Sequence, residues 1–207
     1  MPSSPRPPGR PRTGVTTEVF AATLRTVQEF GYARATVERI AARAGVAKTT
    51  VYRRWPSKGE LIVDCLLDAF GPAPLEKDAG RAELMSTTIR WIAAKIGEPG
   101  VGDAFAGVFS DAVSDPALRE VLAARLQEPY RLALLSALDE PSQRVLFFID
   151  VVVGTLLHRM GMTGEPMVDA DVDALVEMVL RYFAAEDQPA DLPRKADPGA
   201  PLKSAPS

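Results

Sequence analysis

Apolar residues recur along most of this chain every three to four positions, the spacing of a helix that buries one face, and no stretch alternates as a half-buried strand does. The first such run puts Phe20, Leu24 and Val27 on one side, flanked by Val19, Thr23 and Phe30. Gly31 ends it, and Thr36 stands where a hydroxyl caps a second helix over about residues 37–44. That helix halts at Gly45, a residue able to adopt positive φ. A short third helix is expected over about 48–55, broken by Pro56. Ser57 with Glu60 three positions on forms a capping box for a fourth, through Phe70. The stretch GPAPLEKDAG then interrupts the helical run and marks the seam between an N-terminal head and a C-terminal body. Body helices are expected over about 79–96, 103–113, 116–138 with a bend at Pro129, 142–160 and 169–183. Asp115-Pro116 supplies a cap followed by a first-turn proline.

Charge sharpens this division. The formal charge of −3 hides an asymmetry: residues 1–60 hold eleven Lys and Arg against four Asp and Glu, a net +7, and the remainder carries −10. A basic third on an acidic body points to a polyanion-binding head joined to a domain with another task. At 207 residues and 46% hydrophobic, the chain has the material for a sizeable core. The single cysteine, Cys65, excludes an intramolecular disulfide, and one His with one Cys cannot build the usual zinc site, so no metal or cofactor is expected. The N-terminus is basic and proline-rich without the apolar segment of a secretory signal. The longest apolar run, residues 145–157, is too short to span a bilayer and contains Asp150. A soluble, cytoplasmic protein with no membrane partner is expected. Residues 1–14, MPSSPRPPGRPRTG, have little to bury and are expected to form a disordered basic arm, as residues 186–207 are to form a disordered tail.

The chemistry concentrates in AARAGVAKTTVYRRW, residues 41–55. Ile40, Val46 and Val51 suit a small core between two helices, Ala41 permits their close crossing, and Gly45 makes the turn. This is helix-turn-helix spacing. With Val51 turned inward, Lys48, Thr49, Tyr52 and Arg53 are left for an outer edge that fits a major groove. The longer stretch TVERIAARAGVAKTTVYRRWPSKGELI, preceded by Phe30-Gly31, resembles the DNA-binding domain of the TetR (tetracycline-repressor-like) family of transcriptional regulators over about residues 16–63. The matching positions are Thr36, Ile40-Ala41, Ala44-Gly45-Val46, Tyr52, Arg54, Trp55, Lys58 and Leu61. Trp55 departs from the more usual Phe while keeping an aromatic in place.

The resemblance implies roles for these residues. Thr36 offers its hydroxyl and backbone N–H to a phosphate at a helix N-terminus. Lys48 and Thr49 face bases. Thr50, Tyr52, Arg54 and Lys58 hold phosphates and fix register, and Trp55 packs the third helix against the first and fourth. In the arm, Pro8-Gly9-Arg10-Pro11-Arg12 resembles an AT-hook core, whose Arg10 and Arg12 would lie in a narrow minor groove. The implied fold class is all-α: a three-helix helix-turn-helix head over residues 15–60 and a helical ligand-binding and dimerisation domain over 61–185.

The body reads less sharply. The helix from about residue 142 is apolar nearly all round and so needs cover on several sides, one of which a second subunit would supply. Gly154 allows close approach there, and the last helix offers Val172, Leu175, Val176, Val179, Tyr182 and Phe183 as a stripe for a four-helix homodimer interface. By the family resemblance the body also binds a small-molecule effector that changes the spacing of two heads. Trp91, Phe105, Phe109, Tyr130, Phe147 and Phe148 are candidate cavity residues, and ordinary core packing is the competing role for each. Asp150, a carboxylate amid FFIDVVVG, is expected to face the cavity or to pair with an arginine across the dimer interface, with His158 two turns on as a neighbour. No nucleophile–base pair, phosphate-cradling glycine loop or metal cluster marks an enzyme. The expected function is a ligand-responsive repressor of a near-palindromic double-stranded DNA operator. A sequence-indifferent architectural DNA binder is the alternative, distinguished by whether site preference survives excess random DNA.

Overall fold

Caps, glycines and prolines divide the chain much as its pattern predicts. The computed structural model of the protein describes residues 12–76 and 78–185. Its helices are α1 (Arg12–Phe30), a 3₁₀ turn (Tyr32–Arg34), α2 (Val37–Arg43), α3 (Lys48–Tyr52), α4 (Lys58–Phe70), α5 (Arg81–Gly97), α6 (Val101–Ser114), α7 (Pro116–Leu122), a π segment (Ala123–Gln127), α8 (Glu128–Leu138), α9 (Ser142–Thr163) and α10 (Asp169–Ala185). Among the described residues there is no strand. Arg10, the rest of the arm up to residue 11 and the tail lie outside them. Arg12 opens α1, so residues 12–14, expected in the arm, are helical.

Three caps act where they were expected. The Thr36 hydroxyl accepts from the Arg39 N–H, Ser57 from Glu60 and Asp115 from Leu118. Two helices differ from expectation. The third ends at Tyr52, because a residue before proline is pushed out of the α region and the last turn tightens, Arg54 N–H bonding Val51 O at 2.9 Å. The long helix expected over 116–138 is interrupted ahead of Pro129. That proline lacks an N–H and crowds the carbonyl four residues back, and the chain responds with a π turn in which the Glu128 N–H reaches Ala123 O.

Two cores result, and α4 faces both. Leu61 and Cys65 join Phe20, Ile40, Val51 and Trp55 in the head. Ile62, Leu66 and Phe70 point the other way, into a body core with Ile89, Val108, Phe148 and Leu156. Packing therefore divides along the faces of α4 rather than at the GPAPLEKDAG break. Burying a side chain such as Val51, 1% exposed, stabilises by about 1.5–3 kcal/mol over leaving it in water. Glu140, 8% exposed, is held between Arg81 (2.7 Å) and Arg144 (3.1 Å), joining the start of α5 to α9.

The α10 face expected at a dimer interface needs correction, and α9 divides into an inward and an outward side. On α10, Val172, Leu175, Val176, Val179 and Phe183 are buried in the chain's own core, and only Tyr182 of the stripe is exposed, alongside Met178. On α9, Val145, Phe148, Val152 and Leu156 turn inward; Phe148 packs edge-on against Phe183, so it is core and lines no cavity. Phe147, expected in a cavity, points outward at 46% exposure with its ring 5.3 Å from that of Tyr182. Helix α9 reaches Thr163, three residues beyond expectation, and among the described residues it is long and apolar enough to cross a membrane by length and composition. Its inward residues are accounted for by packing in the body core.

Candidate nucleic-acid interface and body cavity

In the head, each geometric step follows from a short stretch of sequence. Gly45 takes φ of 65°, turning the chain between α2 and α3. Val51 anchors α3 inward, which leaves Lys48, Thr49, Tyr52 and Arg53 exposed and Thr50 half-buried. Thr36 is exposed at the N-terminus of α2. These positions lie together on the surface of the helix-turn-helix. Trp55, 4% exposed, lies 5.5 Å from the Phe20 ring and donates its indole N–H to Asp64 at 2.9 Å, wedging α3 between α1 and α4 as expected.

Three cations at this surface, Lys48, Arg54 and Lys58, already have partners. Lys48 pairs with Glu38 and sits 5.3 Å from the centre of the Tyr52 ring. The hydrogen bond between them lowers the Glu38 carboxyl below its ordinary range and raises the Lys48 ammonium. Arg54 donates to the Thr16 hydroxyl on α1 and lies over Trp55. Lys58 folds back on the 3₁₀ turn, donating to Tyr32 O at 3.2 Å and lying 3.7 Å from that ring's centre. Burial there pushes its ammonium pKa down.

Tyr32 was not among the residues singled out from sequence, where Phe30-Gly31 read only as a helix end. Its hydroxyl donates to Asp111 of α6 at 2.6 Å, and burial followed by that bond pushes the phenol pKa up. Its ring rests where α6 has Gly107: a Cβ there would lie 2.0 Å from the ring. Arg125 of the π segment makes a second bridge, reaching Asp64 at 3.3 Å and Glu60 at 3.4 Å. Head and body thus touch through α6 and through the π segment.

The same two elements wall a cavity of about 500 Å³ in the body, closed on its other sides by α4, α5, the end of α7, α8 and α9. Trp91, Phe105, Phe109, Tyr130 and Asp150 line it, as the sequence suggested; Phe147 does not. Phe70 completes an aromatic cluster, 5.5 Å from Trp91 and 5.9 Å from Phe105 in edge-on contacts. Tyr130 donates to Gly71 O at 2.6 Å, which fixes its ring on the wall. The exposed residues of the lining, among them Phe109, Asp150, His158 and Met162, mark the open side. Asp150 has no hydrogen bond or ion pair within the described residues; the pairing expected with an arginine lies across a dimer interface, outside a single chain. Thr88, missed from sequence because a threonine on an apolar helix face reads as packing, also lines the cavity. It is 1% exposed, and its hydroxyl has no partner among the described residues. The described residues contain no cluster of His, Cys, Asp and Glu able to hold a metal.

This two-part architecture has close counterparts. Residues 19–65 match the model of bacterial regulatory proteins of the tetR family, and residues 81–179 that of a tetracyclin repressor-like C-terminal domain. The chain is 32% identical over 175 residues to the HTH-type transcriptional regulator Rv1556 of Mycobacterium tuberculosis, covering 79% of this chain and 85% of that one. It is 30% identical over 172 residues to the DNA-binding transcriptional repressor TetR of Mycobacteroides abscessus, covering 78% and 90%. A solved structure assigned to the TetR family, from Mesorhizobium loti, shares the fold with a TM-score of 0.66 at 16% identity, over 86% of this chain and 98% of that one. The chain belongs to the TetR family: it is a transcriptional regulator with a helix-turn-helix DNA-binding domain, and it is not an enzyme.

Proposed function

We propose that the protein acts as a homodimeric repressor that leaves a near-palindromic operator when a small molecule fills the body cavity. One observation carries the proposal: α6 both walls the cavity and holds Tyr32 of the head, so an occupant that shifts α6 acts directly on the mounting of α3. In this reading residues 15–60 are the reading head, residues 61–185 the regulatory body, and the site of action is the DNA of the cytoplasm. Lys48 and Thr49 read base edges, and Thr36, Thr50 and Tyr52 hold phosphates. Arg54 and Lys58 act in the unbound protein by fixing α3 on α1 and Tyr32 on α4; contact with phosphate requires them to exchange those partners. Arg10, in the arm, and Arg12, at the first position of α1, add a minor-groove grip. The dimer face is the patch where α10 meets the first turns of α9, around Phe147, Met178 and Tyr182, whose exposed apolar surface favours burial against a second copy; further along α9, Asp150, Gly154 and His158 edge the cavity mouth and stay outside that contact.

The test is selection of bound fragments from genomic DNA followed by titration at several salt concentrations. A near-palindrome with half-site centres roughly 34–36 Å apart, or a multiple of that, and a steep loss of affinity with salt are expected. Indifference to sequence under competition by random DNA would favour the architectural reading instead.

A further inference from the structure

We infer that the effector is an amphipathic aromatic cation: a flat ring system with a positively charged nitrogen at one end and a hydrogen-bonding group at the other. The inference rests on the effector-binding reading above and adds the chemical class.

Three features of the cavity define that class. Its bulk is apolar and aromatic, with Phe70, Trp91, Phe105 and Tyr130 offering ring faces and edges, which suits planar rings and, beside π faces, positive charge. Its volume of about 500 Å³ is that of a site for a drug-sized molecule. Among its 22 lining residues the only carboxylate is Asp150, and there is no Lys or Arg. An anionic ligand would find no counter-charge and would face that carboxylate. Asp150 lies on the open side without a partner, at the same helical face as Gly154 and His158, so a cation seated at the mouth gains a charge-assisted hydrogen bond. At the closed end, the buried Thr88 hydroxyl is an orphan in a site made almost wholly of carbon. A buried hydroxyl without a partner is costly, and a ligand heteroatom reaching it removes that cost. Thr88 and Asp150 lie on different helices, α5 and α9; Ser110, Gln127, Tyr130 and His158 are the other polar side chains of the lining, and Tyr130 already donates to Gly71 O.

The experiment measures binding to the full-length protein by calorimetry without DNA, since acridines also intercalate. It uses three probes of one ring system: protonated aminoacridine, neutral acridine and acridine carboxylate. The cation is expected to bind about tenfold more tightly than the other two, and Asp150→Asn to remove that advantage while changing acridine affinity less than about twofold. Thr88→Val, which keeps the shape and deletes the hydroxyl, is tested with a fourth probe, neutral acridine carboxamide; it is expected to weaken that probe about fivefold and to leave acridine unchanged. Gly154→Phe, built where no atom lies within 4 Å of a Cβ, is expected to block all three probes and so locates them in the cavity. Equal binding of cation and anion, or an Asp150→Asn protein that holds the cation as tightly as before, overturns the charge assignment and leaves an effector cavity standing. Failure of every probe to bind overturns both.

Discussion

The head and the body are both short helices over aliphatic cores, and they differ in where their working atoms come from. In the head, α2, one turn and α3 bring Thr36, Lys48, Thr49 and Tyr52 to one surface, all within 17 residues of chain. In the body, the cavity needs walls from α4 through α9, and two of its polar side chains, Thr88 and Asp150, are 62 residues apart. The head therefore carries its function in local spacing, and the body carries it in packing between distant segments. The two differ in polarity as well. The head presents donors to solvent with partners close by, as with Lys48 on Glu38, whereas the body encloses carbon around one orphan hydroxyl. A surface built to exchange partners suits DNA, and a dry cavity suits a molecule that must be recognised by shape and a few polar contacts.

The largest expected effect tests whether the two cores are separable. Trp55→Ala deletes the aromatic at the centre of the head core and is expected to cost about 3–5 kcal/mol in thermal unfolding and to abolish DNA binding. Retained probe binding in the cavity would show that the body survives the loss of the head. Loss of both would mean that α4 makes them one cooperative unit.

A smaller effect belongs to the body alone. Glu140→Gln weakens the pairing with Arg81 and Arg144 that joins α5 to α9, and about 2 kcal/mol of stability is expected to go, since the arginines keep some contact with water. DNA affinity of the surviving folded protein should be unchanged.

The contact between head and body is sharpened by Tyr32→Phe. It removes the bond to Asp111 while keeping the ring over Gly107, and about 1 kcal/mol of stability is expected to be lost. The telling readout is the effector concentration that releases half the operator. It should rise, with ligand-free operator affinity nearly unchanged; an unaltered release curve would remove Tyr32 from the coupling.

The smallest effect concerns alkaline stability. Burial raises the Cys65 thiol from 9.0 to about 12, so the folded state holds its proton more tightly than the unfolded state. Its contribution is fully present below pH 9.0 and is lost as pH rises toward about 12. Melting temperatures across that window should fall less steeply in Cys65→Ala, after allowance for its lower starting stability. At neutral pH the buried thiol should react with thiol reagents only as fast as the head opens.

What could be read in advance follows the same local–distant divide. The caps at Thr36, Ser57 and Asp115 and the turn at Gly45 depend on neighbours within a few residues, and each forms as its spacing requires. Helix α9 is apolar nearly all round, with Gln143, Asp150 and His158 too widely spaced to give a strong phase, so its sequence says little of which side is inward. Phe147 was assigned to the cavity on composition and faces outward beside Tyr182. The α10 stripe has a clear phase, but phase does not say whether the buried side meets the same chain or another; it meets the same chain. Trp91, Phe105, Phe109 and Tyr130 are recognisable as aromatic body residues, while the hollow between them arises only when seven elements pack imperfectly around it. Tyr32 was hidden for the opposite reason, since its importance lies in a glycine 75 positions away.

Everything turns on the outward edge of α3 meeting bases. Selecting bound DNA fragments in parallel with the wild-type protein and with Lys48→Ala tests this most directly. The account predicts that the wild type enriches one near-palindrome and that the variant enriches a site altered at symmetric positions in both half-sites. An unchanged consensus, with affinity lowered equally for every sequence, would contradict it.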